Sequence, residues 1–211
     1  MRRIGHRGAK GHAPENTIAS FAKAIELGCD EVETDVWLLD GGQLVITHDR
    51  PASAAGLPTL DEVLDFCRGR IAVNVEMKSA GSESHARETG ERVARRLAER
   101  GDPDAYVSSF WWSALEDARA AGPGVRRAFI YSASPDAAAL FASAGSLGLW
   151  ALHPAFSYVT PELIRRAHAA SLRVHPWTVN DPRDIAHLVE WGVDGIASDF
   201  PERVPRGAPG G

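Results

Sequence analysis

"GLWALHPAFSYVTPELIRRAHAASLRVHPWTVNDPRDIAHLVEWGVDGIASDF", residues 148–200, alternates three strand-like runs with two helical patterns. GLWALHP (148–154), RVHPWTV (173–179) and DGIASDF (194–200) are short and apolar, as strands are. The segment 161–171 is opened by Thr160-Pro161-Glu162, and 182–191 by Asn180-Asp181-Pro182. Each opening places a polar capping residue before a proline at the first helical position. Strands joined through helices run parallel, and a parallel sheet must be covered on both faces.

The alternation continues towards the N-terminus. Strands are expected at 2–6, 30–37 (DEVETDVW), 71–78 (IAVNVEMK), 105–110 (AYVSSF) and 127–132 (RAFIYS). QLVITHD (43–49) returns along the second of these after the Asp40-Gly41-Gly42 turn. Helices are expected at 16–28, 59–69, 84–100, 112–121 and 135–145. Ile18, Phe21, Ala22 and Ile25 give the first its apolar stripe, and Thr59 with Glu62 have the spacing of a capping box. About eight β/α units in succession predict a (β/α)8 TIM barrel. It would form one compact domain over residues 1–205, with 206–211 a flexible C-terminal tail. The alternative is an open doubly wound sheet; no G-x-G-x-x-G follows a strand, which counts against its nucleotide-binding form.

The chain has 211 residues, enough for one sizeable core and awkward for two. It is 44% apolar and 24% charged, with a net charge of −5, so it lacks the basic footprint of a nucleic-acid binder. No run approaches the ~18 apolar residues of a membrane span, so no stable membrane insertion is expected. The opening MRRIGHRG has no apolar leader, and a cytoplasmic protein is expected. Cys29 and Cys67 lack metal-type spacing and read as buried free thiols.

In such a barrel the chemistry sits at the C-terminal ends of the strands. Those ends carry His6-Arg7, Glu33-Thr34-Asp35, His48-Asp49, Glu76-Met77-Lys78, Trp177 to Asn180, and Asp199, whereas mid-strand positions are Val, Ile and Ala. Glu33 and Asp35 are two apart on a strand, so both point to one side, and they repel unless a cation lies between them. Glu76 and Lys78 repeat the spacing on the next strand. Three carboxylates on adjacent tips make an oxygen-rich site suited to Mg²⁺ or Ca²⁺ rather than Zn²⁺. The plainer alternatives are two solvated carboxylates and a Glu76–Lys78 ion pair.

His6 and His48 stand on neighbouring tips, where a histidine pair suits proton transfer near neutral pH. Arg7 offers a planar fork for phosphate oxygens and Lys78 a point charge. His85, His168 and His187 fall on helices and are expected at the surface. His12 lies in the first loop, facing either the site or water. For His153 and His175, in strands six and seven, a place in the strands is favoured over a ligand-facing one. Trp177 reads either as an apolar wall for substrate or as ordinary packing.

These residues resemble the glycerophosphodiester phosphodiesterase family. The resemblance is carried by "HRGAKGHAPENTIASFAKAIELGCDEVETDVWLLDGGQLVITHD" (6–49), "VNVEMK" (73–78), "SSF" (108–110), "WTVN" (177–180) and "VDGIASDFP" (193–201), in the family's order. It implies a TIM barrel that hydrolyses small-molecule glycerophosphodiesters to sn-glycerol 3-phosphate and an alcohol. It implies His6 and His48 as the acid/base pair, and Glu33, Asp35 and Glu76 as ligands of Mg²⁺ or Ca²⁺. Arg7 and Lys78 would hold the phosphate, Trp177 would line the substrate groove, and Glu15 and Asn16 would support the site. The chain departs from the family after His48-Asp49, where only RPASAAGLP (50–58) precedes the next helix and the family carries a longer insertion. The mouth is then either more open or covered by a partner chain, as in a homo-oligomer. A second enzyme reading is a lysophospholipase D/C-type hydrolase, which needs an apolar landing surface; Trp111, Trp112, Trp150 and Phe156 could supply one, though core packing is favoured for them. A non-catalytic phosphate-binding module would need a broken acid/base or metal set, and none of those positions is substituted.

Overall fold

The computed structural model describes residues 1–206; the remainder of the expected tail, 207–211, lies outside the described residues. Eight parallel strands form a barrel in sequence order. These are β1 (Arg2–Gly5), β2 (Glu31–Leu38), β4 (Ala72–Met77), β5 (Ala105–Ser109), β6 (Arg127–Tyr131), β7 (Ala151–Pro154), β8 (Arg173–Val174) and β9 (Gly195–Ser198). The short β3 (Leu44–Ile46) pairs antiparallel with the end of β2, which is the expected return. β1 pairs with β2 on one side and β9 on the other, so the circle closes except between β8 and β9. Backbone hydrogen bonds bridge that seam: Asp194 N donates to Val174 O, Ala197 N to Pro176 O, and Val179 N to Ala197 O. The seventh barrel strand was expected over 173–179, but its ladder stops at Val174. Pro176 has no N–H to donate, but beyond the ladder His175 N still bonds Leu152 O, Trp177 N bonds Pro154 O and Trp177 bridges Ala155 in parallel, so the chain stays beside β7 as far as Trp177.

Between strands lie α1 (Ile18–Glu26), α2 (Leu60–Cys67), α3 (Glu83–Arg100), α4 (Trp112–Ala121), α5 (Ala137–Leu147), α6 (Pro161–Ala169) and α7 (Pro182–Trp191). Local chemistry starts them where the sequence indicates. Thr17, Thr160 and Asp181 accept backbone N–H bonds at their helix starts. Thr59 and Glu62 close a reciprocal capping box on α2. Among the described residues no helix is long and apolar enough to cross a membrane. Cys67 is buried and Cys29 half-buried, and burial pushes both thiols up to about 12, so both stay protonated and inert.

Strand parity sorts the barrel interior. On β2, Glu31, Glu33 and Asp35 share the inward face with Asn74 and Glu76 of β4, since Glu33 is paired with Asn74 and Asp35 with Glu76. At the floor, Glu31 is fully buried and accepts from Tyr106 Oη (2.5 Å) and Arg2 (3.0 Å). A carboxylate so deep needs both partners, and they close that end of the barrel. The open end carries the ionisable groups.

Candidate active site

The His-Arg pair marks the point where β1 ends and the chain must turn back towards α1. Arg7 and Gly8 take positive φ (50° and 82°). A Cβ at residue 8 would lie 2.2 Å from Ser20 Oγ, so only glycine fits. The turn is pinned because Arg7 O accepts from Asn16 N (3.1 Å) and Ser20 Oγ (2.8 Å). His6 and Arg7 are thereby held over the barrel mouth.

The carboxylates gather there. Ligand oxygens of Glu33, Asp35 and Glu76 all lie within 4.8 Å of one another. Asp35 is the most heavily engaged. Asn16 Nδ2 donates to its Oδ2 (2.9 Å), Arg7 Nε lies 3.2 Å from the same oxygen, and Lys78 Nζ lies 3.3 Å from Oδ1. The Arg7 Nε contact is an ion pair, since its N–H makes no hydrogen bond. Lys78 also donates to Glu76 Oε1 (2.9 Å). Glu33 Oε2 accepts from Arg7 N (2.9 Å), while its buried Oε1 has no partner among the described residues. Asn16 sits at φ 58°, and its Oδ1 accepts from Thr34 Oγ1 and Asp35 N, so it braces β2, the strand that carries Glu33 and Asp35, directly. Glu15 Oε2 lies 3.0 Å from both Arg7 and Lys10, which fixes the guanidinium. Arg7 and Lys78, read from the sequence as phosphate-holding groups, therefore lie among the carboxylates.

Those cations do not neutralise the acids. When ionised, three carboxylates against two cationic side chains leave one net negative charge. Burial, then the charges of Asp35 and Glu76, push Glu33 well above the ordinary carboxylate range. Burial and Asp35 likewise push Glu76 up to about 7 despite Lys78. Burial alone would lower the basicity of Arg7 and Lys78, but the surrounding carboxylates outweigh it and raise both. A cluster short of positive charge, with an unpartnered buried oxygen and all-oxygen donors, fits a hard divalent cation.

The raised Glu76 makes a pH prediction. Its folded form keeps a proton that the unfolded chain loses near pH 4.5, so its stabilising effect is full below that value. It is lost as pH rises through about 7. In chelator-treated protein this amounts to about 3 kcal/mol, an upper figure because the carboxylate is 14% exposed. Glu33 acts in the same direction. The melting temperature of the chelated protein should fall between about pH 5 and pH 8, and added Mg²⁺ or Ca²⁺ should recover it at the upper end. Scanning calorimetry with Glu76→Gln, which should flatten the fall, checks this; a chelated wild type with no pH dependence would rule it out.

Both histidines line the same cavity, together with Glu33, Glu76, Lys78, Arg7 and Trp177. Their settings differ. His6 is 12% exposed, and its Nδ1 donates to Asp199 Oδ1 at 2.7 Å. Burial would raise Asp199, but its hydrogen bonds from His6 and Asn180 hold it below the ordinary carboxylate range, so it is an acceptor and Nδ1 must carry the proton. That leaves Nε2, 3.9 Å from Glu33 Oε2, as the basic nitrogen. Asn180 Nδ2 donates to Asp199 Oδ2 (2.8 Å), and Asn180 Oδ1 accepts from Asp199 N and Ser198 Oγ. His48 is 36% exposed and among the described residues its ring bonds only the exposed Asp49, through Nδ1, with its backbone anchored by Trp37 Nε1.

The Asp199–Asn180 support was visible in the sequence only as two polar strand tips without roles. The remaining residues fall as follows, some with expectation and some against it. His85 is not simply at the surface: its Nε2 bonds Leu38 O (3.0 Å) at the end of β2. His12 turns away from the cavity to pair with Glu202. His153 and His175, not favoured as ligand-facing, both line the cavity. Trp150 precedes β7 and lies at the opposite end of the barrel, under the guanidiniums of Arg126 and Arg173 (each 4.9 Å). Trp111 and Trp112 pack against the core, Trp112 stacked on Phe129. Of the four aromatics considered for a lipid landing surface, Phe156 alone is exposed. The short loop after His48 is closed at its base by Ile46 N bonding Pro58 O, and it leads straight to α2.

The sequence profile of the Glycerophosphoryl diester phosphodiesterase family matches residues 6–54 and 50–203. The two segments meet at the short loop after His48. A curated glycerophosphodiester phosphodiesterase of Caldanaerobacter subterraneus subsp. tengcongensis is 30% identical, over 94% of each chain. A solved structure of a putative glycerophosphoryl diester phosphodiesterase from Silicibacter pomeroyi superposes with a TM-score of 0.84 at 28% identity, covering 95% of this chain and 90% of that one. An Oleispira antarctica phosphodiesterase, solved in complex with the product sn-glycerol-3-phosphate, gives 0.83 at 28% identity, covering 95% and 94%.

Proposed function

Because the chain belongs to the glycerophosphoryl diester phosphodiesterase family, we propose that it hydrolyses glycerophosphodiesters to sn-glycerol 3-phosphate and an alcohol, with a divalent cation and two histidines. The observation that carries this reading is one cavity lined by His6, His48, Glu33, Glu76, Arg7 and Lys78. Glu33, Asp35 and Glu76 would hold Mg²⁺ or Ca²⁺, which supplies charge stabilisation for the phosphate oxygens. With a dication the ionised cluster reaches a net charge of +1, the complement of a phosphodiester monoanion.

Arg7 and Lys78 steer the phosphate and keep Asp35 in place. His6 Nε2 takes the proton of the attacking oxygen while Asp199 holds the ring. On the open side, His48 gives a proton to the departing alkoxide as its bond to phosphorus breaks. The attacking oxygen belongs to water or to the substrate's own glycerol hydroxyl. In the second case a cyclic phosphate forms and water opens it, so both routes end in the same products. Intramolecular attack has the advantage of proximity.

The test is turnover of glycerophosphocholine with each divalent cation in turn. Release of choline and sn-glycerol 3-phosphate, abolished by chelator and restored by Mg²⁺ or Ca²⁺, is expected. Turnover indifferent to chelation would remove the cation from the scheme. The lysolipid alternative gains nothing from the positions of Trp112 and Trp150.

A further inference from the structure

The lower part of the cavity has no part in the scheme above. His153 of β7 and His175 beside β8 are 5% and 1% exposed, and their rings stack at 5.2 Å. His153 Nε2 and both ring nitrogens of His175 have no hydrogen-bond partner among the described residues. Across from them, on β4, Asn74 is 2% exposed and its Oδ1 is also unpartnered. All three residues line the cavity that holds His6 and Glu33. Buried polar atoms normally find partners, so four orphaned atoms on three residues that line one cavity call for an occupant. Ile4, Ile130 and Ala197 fill the wall between them with apolar atoms.

Resting on the function proposed above, we infer that His153, His175 and Asn74 form a hydroxyl-recognition subsite for the substrate's glycerol portion, taking both free hydroxyls where water attacks and the terminal one where the neighbouring hydroxyl attacks. Burial keeps both rings neutral, pushing His153 down to about 3 and His175 well below the usual imidazole range. A neutral imidazole offers one N–H donor and one acceptor nitrogen, and Asn74 Oδ1 adds an acceptor. A hydroxyl can donate and accept at once, so a vicinal diol suits this set better than a cation or an anion does. Size agrees: the cavity has a volume of about 190 Å³, below the ~300–1,000 Å³ of drug-sized sites. The glycerol end therefore points down the barrel from the phosphate, and the leaving alcohol points out past Phe110 and Trp177. Specificity would come from what an analogue leaves unpaired: a buried donor or acceptor without its hydroxyl costs more than the hydrogen bond gained.

The test is calorimetric binding of sn-glycerol 3-phosphate against propyl phosphate, which lacks both hydroxyls, to the full chain with saturating Mg²⁺ or Ca²⁺. Wild type should bind sn-glycerol 3-phosphate at least about tenfold more tightly. His153→Leu should shrink that ratio to within about twofold with propyl phosphate affinity held, and His153→Asn, which keeps hydrogen-bonding groups, should retain part of it. His175→Gln provides a second variant should the leucine fail to fold. Equal affinities in wild type, or an undiminished ratio in the variants, would overturn the inference. Glycerophosphocholine turnover is measured alongside: no turnover with a preserved ratio would overturn the proposed reaction and leave this subsite standing.

Discussion

His6→Ala should lower kcat/KM for glycerophosphocholine by about 10³-fold, and His48→Ala by about 10²-fold. The difference follows from their surroundings. His6 is 12% exposed and held by Asp199, so no water replaces its nitrogen in position. His48 is 36% exposed, and solvent can partly substitute for it. The stronger prediction concerns the leaving group. A 4-nitrophenyl ester of glycerol phosphate departs as a stabilised phenolate and needs no proton. If His48 is the general acid, His48→Ala should lose almost nothing on that ester, while His6→Ala should lose as much as on glycerophosphocholine. Steady-state kinetics on both substrates, with melting temperatures as a folding control, settles the assignment. Equal losses on both substrates for His48→Ala would remove its role as acid, and a loss under about tenfold for His6→Ala would remove its role as base.

Much of this arrangement is legible in strand parity. Glu33 with Asp35 and Glu76 with Lys78 are each two apart on strands, and the structure places all four around one point. The capping box at Thr59 and the Pro-led helices are local rules that tertiary structure left intact. Parity extends to the wall of the cavity: His175 is two residues before Trp177, so a Trp177 facing the cavity implies the same for His175. What no local rule contains is closure. Asp199 and His6 meet across 193 residues of sequence because β9 returns beside β1. Trp150 could not be placed without knowing that β7 starts one residue later, which puts it at the floor and not at the mouth. The pairing of Arg7 with Asp35 depends on the positive-φ turn at residues 7 and 8, whose direction the sequence leaves open.

Asp199→Asn should cost about 10²- to 10⁴-fold in kcat while leaving KM nearly unchanged, because it reverses a proton position and moves no bulk. Asn180 Nδ2 donates to Asp199 Oδ2, and Asp199 Oδ1 accepts from His6 Nδ1. An amide at position 199 has one acceptor oxygen for these two donors. Its oxygen turns to Asn180, because Asn180 is locked by accepting at Oδ1 from Asp199 N and Ser198 Oγ. Its NH₂ then faces His6, so Nδ1 must become the acceptor and Nε2 takes the proton, which leaves no base towards the substrate. A second substitution separates this from simple damage. Asn180→Asp, added to Asp199→Asn, puts the carboxylate one position further back; it accepts from the new amide and lets the amide oxygen turn to His6. The double variant should recover at least about tenfold in kcat over Asp199→Asn alone, although each change by itself is harmful. If Asp199→Asn merely loosened β9, adding Asn180→Asp could only worsen it. A double variant no better than the single one would show that Asp199 does not act through the tautomer of His6.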